Sequence, residues 1–372
     1  MADSVKFNNV KEKPLVIVSP LDWGLGHTIR CIPIINELLN CGCDVIVACN
    51  SKQKAVLSRE INGIQFTDIF GYNIRYGESA FTTICLIVIQ IPKILIRIKR
   101  ETRWLKMFIS QNNPDLIISD NRFGFFSKNV PSIFITHQLF INTGTGSWIN
   151  RLVTKWNYSR IQKFKTCWIR DDKDNMCLGG SLSHRAKMPA THVKYIGNLS
   201  RLQNCGDDIA KRTDILIILS GPEPQRSLLE EKLLSGLKTY AGNAVLIRGL
   251  PGKNSEINSS PNISVLNYVS GEELNRLICS SDLIISRCGY TTVMDIVKLG
   301  KRSVLIPTPG QAEQEYLAGY LHKKGIAFTI SQGNFHLQQA IEAVSKFSFT
   351  RITLDYDLHK EIIRHELDLL SE

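Results

Sequence analysis

Residues 15–27 read LVIVSPLDWGLGH, and residues 282–295 read DLIISRCGYTTVMD. Each is a short continuous apolar run that ends in a glycine-bearing turn and opens a helical pattern, as when a buried parallel strand feeds a helix. Two such turns in separate stretches imply two α/β halves with a phosphorylated ligand between them, because the free amides of a helix start attract anions. At 372 residues and 43% hydrophobic content, the chain exceeds one core and can fill two.

Further runs extend the pattern. Asp44 to Cys49, Asp115 to Ser119 and Ser132 to Thr136 read as strands of the first half, with Thr28 to Leu39 as its first helix. Asp214 to Leu219, Ala244 to Arg248, Ile263 to Leu266, Asp282 to Ile285 and Ser303 to Ile306 read as strands of the second. The expected fold class is α/β: two Rossmann-like doubly wound parallel-sheet domains facing across a cleft. Their boundary falls where Val193 to Arg201 turns into the polar stretch Asn204 to Thr213. This divides the chain into 1–197, 198–350 and a C-terminal helix in 351–372 that packs back on the first domain.

Ligands of such sheets bind beyond the carboxyl ends of the strands. In the first half that rule selects Gly24, Gly26, His27 and Arg30, then Asp120-Asn121-Arg122, then His137. His27 at a helix start, with Arg30 on the same face, suits an anionic ligand or a proton transfer, or else His27 caps the helix. Asp120 ends an apolar strand, where desolvation would raise its basicity and make it a general base; the plain alternative is a turn aspartate bonding the backbone of Arg122. In the second half, Ser220, Gly221 and Gln225 follow one strand, and Ser286, Arg287, Gly289 and Thr291 follow another. Asp295 lies further along that helix, placed to hold ribose hydroxyls or to face water. Gln311, Glu313 and Gln314 at the next exit suit sugar hydroxyls.

The charge is lopsided: residues 1–200 carry 26 Lys and Arg against 14 Asp and Glu, while the rest is near neutral. Such a field draws acidic partners, and nucleic acid is disfavoured because no interleaved exposed aromatics or binding module accompanies it. Ile84 to Ile98, followed by Lys99, Arg100, Arg103 and Lys106, reads either as an interfacial segment on an anionic membrane or as a buried helix kinked near Pro92. No run is long enough to span a bilayer and Met1 to Lys13 is polar, so the expected location is the cytosol, or peripheral at the inner membrane face. Cys31, Cys41, Cys49, Cys85, Cys167 and Cys279 are expected as buried reduced thiols, and no CxxC pair offers zinc spacing. No paired-carboxylate DxD motif stands in a suitable place, and the expectation is no metal and no cofactor.

These motifs together resemble the family 28-like glycosyltransferases of GT-B fold, which include the peptidoglycan N-acetylglucosaminyl transferase and the diacylglycerol glucosyltransferases. The likeness covers roughly residues 15–330. It implies an acceptor-side loop at Gly24 to His27 and a junction turn, Gly197-Asn198-Leu199-Ser200-Arg201, that approaches the donor. It also implies a uracil-holding backbone at Val269, a ribose acid at Asp295 and a sugar turn at Gln311 to Gln314. The implied reaction moves a sugar from a UDP-linked donor to a hydroxyl of a glycan or lipid-linked acceptor, with inversion and without metal. His27 or Asp120 would be the base, with Arg201 on the diphosphate. A nucleotide-sugar 2-epimerase and a non-catalytic sugar-nucleotide binder are the alternatives. The chain departs from the family at Ser220-Gly221-Pro222-Glu223-Pro224, where prolines replace flexible amides, and at Asp22-Trp23, where small residues are usual.

Overall fold

The apolar runs become two parallel sheets. In the computed structural model, residues 13–75, 77, 80–144, 146–173, 177–206, 212–250 and 260–371 are described; the segment before Lys13 and residues 207–211 of the polar boundary stretch lie outside them. The first sheet has seven strands, β1 (Leu15–Pro20), β2 (Asp44–Cys49), β3 (Gln65–Asp68), β4 (Leu116–Asp120), β5 (Ser132–Thr136), β6 (Thr166–Ile169) and β7 (His192–Tyr195). The second has six, β8 (Thr213–Ile218), β9 (Ala244–Ile247), β10 (Ile263–Leu266), β11 (Ser281–Arg287), β12 (Arg302–Ile306) and β13 (Phe328–Thr329).

Their orders are β3-β2-β1-β4-β5-β6-β7 and β10-β9-β8-β11-β12-β13. The direction of winding therefore reverses between β1 and β4 in one lobe and between β8 and β11 in the other. At such a reversal the connections leave on opposite faces and open a crevice, so the exits of these four strands are where a ligand fits. Register carries the two first-lobe exits to one level, with Pro20 beside Asp120.

The helices are α1 (Leu25–Asn40), α2 (Ser51–Glu60), α3 (Ala80–Asn112), α4 (Ser147–Ile161), α5 (Gln225–Leu237), α6 (Gly271–Cys279), α7 (Tyr290–Lys298), α8 (Ala312–Lys323), α9 (Leu337–Ser345) and α10 (Leu358–Ser371). Helix α1 buries Cys31, Ile32, Ile34, Ile35 and Leu38. Each Ile or Leu so buried contributes about 1.5–3 kcal/mol. Their cluster continues through Val293, Met294 and Ile296 of α7, so one apolar core joins the lobes. Helix α10 returns to the first lobe, where Arg364 pairs with Glu37 at 2.7 Å and Glu366 with Lys194 at 2.8 Å.

Several expectations change. Helix α1 starts at Leu25 rather than Thr28, which places Gly26 and His27 in its first turn. Helix α3 runs unbroken through Pro92 and shows solvent Val88, Ile89, Ile91 and Ile96 while burying Ile98 and Leu105. Cys279 is not a free thiol: it is bonded to Cys205, whose Cα lies 5.4 Å away. The junction loop folds back on the end of α6, which 74 residues of separation hide from a linear reading. Cys41 and Cys85 are only partly buried.

Candidate active-site cleft

On the first-lobe edge, His27, Arg30 and Asp120 form one cluster. Gly24 caps α1 with φ 124°, a conformation that side chains disfavour, and this turn points the first residues of α1 at the exit of β4. His27 Nδ1 lies 2.8 Å from Asp120 Oδ2. Arg30 donates from Nε to both carboxylate oxygens, at 3.0 and 2.9 Å, and from Nη2 to Oδ1 at 2.7 Å. Its Nη2 also touches His27 Nδ1.

This geometry reverses the expected chemistry of Asp120. Burial pushes its carboxyl up, but Arg30 and then His27 outweigh burial and hold it well below the usual carboxylate range. Asp120 is therefore a poor base and a good anchor. The turn bond to Arg122 is made by its neighbour: Ser119 Oγ donates to Arg122 O at 2.7 Å and accepts Arg122 N–H at 3.1 Å. Arg30 is likewise committed to Asp120 rather than open to an anion. His27 is pushed down to about 4 by burial first and by Arg30 second. At neutral pH its ring is uncharged, and with Nδ1–H given to Asp120 the free lone pair sits on Nε2.

The loop carrying Asp22 and Trp23 is held from below. Asp22 accepts the N–H of Tyr72 at 3.0 Å, and Arg122 Nε donates to Pro20 O at 3.0 Å. Arg122 and Glu101, both fully buried, pair at 2.5 Å, and Tyr72 Oη donates to Glu101 at 2.7 Å.

The two edges touch. Thr291 Oγ1 donates to Gly26 O at 3.3 Å, and Tyr290 Oη donates to Arg170 O at 2.9 Å. His137 stacks on the Tyr290 ring at 4.3 Å between centroids. Its partners settle its tautomer: Nδ1 accepts from Arg170 Nη2 at 2.7 Å, so Nε2–H donates to Glu313 Oε1 at 2.6 Å. Burial above all keeps the His137 ring neutral. Glu313 thus meets the first lobe, whereas a sugar contact was expected. Arg170 and Tyr290 were not selected from sequence; recognising TCWI as a strand with its own exit is the signal that finds Arg170.

On the second-lobe edge three helices start side by side in the sheet order. Gly289 precedes α7, Gln311 precedes α8 and Pro224 precedes α5. Their first-turn amides supply donors for an anion. Gln314 accepts Thr308 N–H at 2.9 Å and donates to Gln311, which fixes the turn between β12 and α8. Arg287 is buried, and its Nη2 donates to Gln225 O at 2.6 Å, which ties the exits of β8 and β11 together. Gln225 accepts from Gln332 at 3.0 Å, Ser286 Oγ donates to Arg287 O at 3.2 Å, and Gly221 beside Ser220 holds a positive φ of 106°.

The junction gathers the remaining candidates. Ser200 Oγ donates to Asp295 Oδ1 at 2.5 Å, and burial raises Asp295 to about 6. Arg201 Nη1 meets Glu60 at the end of α2 at 2.7 Å, and Glu60 also accepts Gly271 N–H at 2.9 Å, two residues past Val269. Arg201 is therefore paired with an acid of the first lobe, where a diphosphate was expected. Among the described residues, Asp171, Cys177 and His184 have metal-like spacing. The carboxylate of Asp171 is already filled by N–H of Leu178 and Gly179, both at 2.9 Å, and by Ser183 Oγ.

Comparison with known proteins accords with this geometry. Residues 245–357 match the glycosyltransferase family 28 C-terminal domain. An uncharacterized glycosyltransferase of Methanosarcina acetivorans is 24% identical over 328 residues, 83% of each chain. The UDP-N-acetylglucosamine–N-acetylmuramyl-(pentapeptide) pyrophosphoryl-undecaprenol N-acetylglucosamine transferase of Caldicellulosiruptor saccharolyticus is 30% identical over 92 residues, and the match spans only 24% of that relative's length and of this chain. In fold, the spinosyn rhamnosyltransferase SpnG superposes with a TM-score of 0.63 at 15% identity, covering 96% of both chains. The chain thus carries a glycosyltransferase family 28 C-terminal domain in its second lobe and has the two-lobed fold of the GT-B glycosyltransferases.

Proposed function

We propose that the protein transfers a sugar from a nucleotide diphosphate, UDP being favoured, to an acceptor hydroxyl with inversion, and that it needs no metal or cofactor to do so. The observation that carries this reading is a neutral His27, clamped by Asp120 on one edge of the cleft, directly opposite the start of α7 on the other. Nε2 of His27 takes the proton of the acceptor hydroxyl as its oxygen attacks the anomeric carbon from the side opposite the diphosphate. The carbon–oxygen bond to the diphosphate breaks, and its electron pair leaves with the phosphate, where amides at the starts of α7 and α8 meet the growing charge. These fixed dipoles do the work that a divalent cation does elsewhere. The match to relatives that act on UDP-N-acetylglucosamine favours uridine.

A screen of UDP-, GDP- and dTDP-sugars by thermal unfolding tests the donor assignment. A donor at a hundred times its Kd stabilises by about 2.7 kcal/mol, so one nucleotide class raises the midpoint by several degrees, equally with and without EDTA. No shift with any of them rules the assignment out.

The acceptor side favours a lipid-linked acceptor at an anionic membrane. Exposed Val88, Ile89, Ile91 and Ile96 of α3 lie among Lys93, Arg97, Lys99 and Arg100, and Trp148 and Leu152 of α4 are also exposed. Among the described residues, no helix is long and apolar enough to cross a membrane. Such a surface docks by shallow apolar insertion plus attraction to anionic headgroups, about 1 kcal/mol per basic residue near the surface. Sedimentation with phosphatidylglycerol vesicles at low salt is expected to pellet the protein, and reversing Lys99, Arg100 and Arg103 to Glu to release most of it. Equal recovery in the supernatant with phosphatidylglycerol and with phosphatidylcholine contradicts the membrane contact.

A further inference from the structure

Arg170 follows β6 and is fully buried where the lobes meet. Its Nη2 donates to His137, its guanidinium lies 5.6 Å from the centre of the Tyr290 ring, and its Nε and Nη1 have no hydrogen-bond partner among the described residues. The carboxylates around it are taken. Asp120 is bonded by Arg30 and His27, and Glu313 by His137. A buried guanidinium with idle N–H groups and a second arginine nearby is costly, and a fold keeps such a group where something else satisfies it.

The partition between lobes shows what that something is. Glu313 stands on α8, so when the lobes separate it departs with the second lobe. The first-lobe edge then presents Arg170 with no acid of its own, since Asp120 stays with Arg30. Tyr290 departs as well and uncovers the face it had shielded, while His137, on the same lobe as Arg170, keeps the guanidinium aimed through Nη2.

We propose that Arg170 is a phosphate-binding residue of the cleft, donating Nε–H and Nη1–H to a phosphoryl oxygen of a substrate once the lobes part. This rests on reading the cleft as a nucleotide-sugar transferase site. Two substrates carry that chemistry: the diphosphate of the donor and the phosphate of a lipid-linked acceptor.

Titration calorimetry of the full chain and its R170Q and R170K variants separates them, with inorganic pyrophosphate, UDP, uridine and geranyl phosphate as probes. R170Q is expected to weaken pyrophosphate at least tenfold and leave unchanged any affinity for uridine, which has no phosphate; R170K falls between. A parallel loss for UDP identifies the donor as the source, and a loss for geranyl phosphate alone identifies the acceptor. If R170Q does not fold, R170K carries the test, with a loss of about threefold expected for pyrophosphate and none for uridine. Pyrophosphate bound through Arg170 by a chain that ignores UDP keeps the anion site and removes the donor assignment. Unchanged affinity for every phosphate probe in a folded R170Q, or no phosphate binding by the full chain, overturns the proposal.

Discussion

Replacing His27 by Ala is expected to lower kcat by roughly 10²–10⁴, with donor affinity nearly unchanged, because the general base is lost while the second-lobe helix starts are untouched. Asp120→Asn should follow part of the way. It keeps a hydrogen-bonding oxygen near Nδ1 but removes the charge that Arg30 neutralises and that fixes the ring's tautomer. The pH profile carries a sharper mark. Burial and Arg30 hold His27 at about 4, below the ordinary 6.5, so the base form persists well into the acid range. Protonation removes the lone pair on Nε2, and kcat/KM therefore falls as pH drops through about 4 instead of about 6.5. The same depression makes the fold lose stability, not gain it, as pH falls from 6.5 toward 4, since the unfolded chain binds the proton more readily there. A His27→Ala variant with full turnover would remove the histidine from the mechanism.

The second large effect is on stability. Arg122→Met should cost about 3–5 kcal/mol, because it strands a fully buried Glu101 carboxylate that Arg122 now pairs at 2.5 Å. Glu101 is already pushed up by burial, and Arg122 is the first of the groups that oppose this. Removing Arg122 also frees Pro20 O at the exit of β1, so the loop before His27 loses an anchor. For a lobe of this size the loss corresponds to roughly 6–20 °C in unfolding midpoint. Replacing both partners, Glu101→Leu with Arg122→Met, should recover much of it, since two apolar groups leave no charge unpaired. Equal midpoints for Arg122→Met and the parent would show that the pair is not what ties α3 to the sheet.

The sheets were legible because their central strands are continuous apolar runs, and Val16 to Val18 and Ile284 to Ile285 admit few other readings. Short edge strands were not: β3 carries Gln65 and Asp68 in four residues, and β13 has only two residues, so neither shows a period. Switch-point topology exposed His27, Asp120 and Gly289, since the rule needs only strand ends. What it could not expose was pairing. Arg30 and Asp120 are 90 residues apart and His137 and Glu313 176 apart, and these pairings decide the chemistry. Asp120 looked basic as an isolated buried acid and became an anchor once Arg30 was beside it. Arg201 looked like a diphosphate ligand and Arg287 like a donor contact when each was read alone, and their partners Glu60 and Gln225 lie on elements that no local pattern connects to them.

Hydrogen exchange of backbone amides with and without saturating UDP tests the central claim, a nucleotide diphosphate held between the lobes. Slowed exchange at Gly289 to Thr292, at Gln311 to Gln314 and along the junction from Asn198 to Arg201 is the predicted result. UDP that binds but protects none of these segments would contradict it.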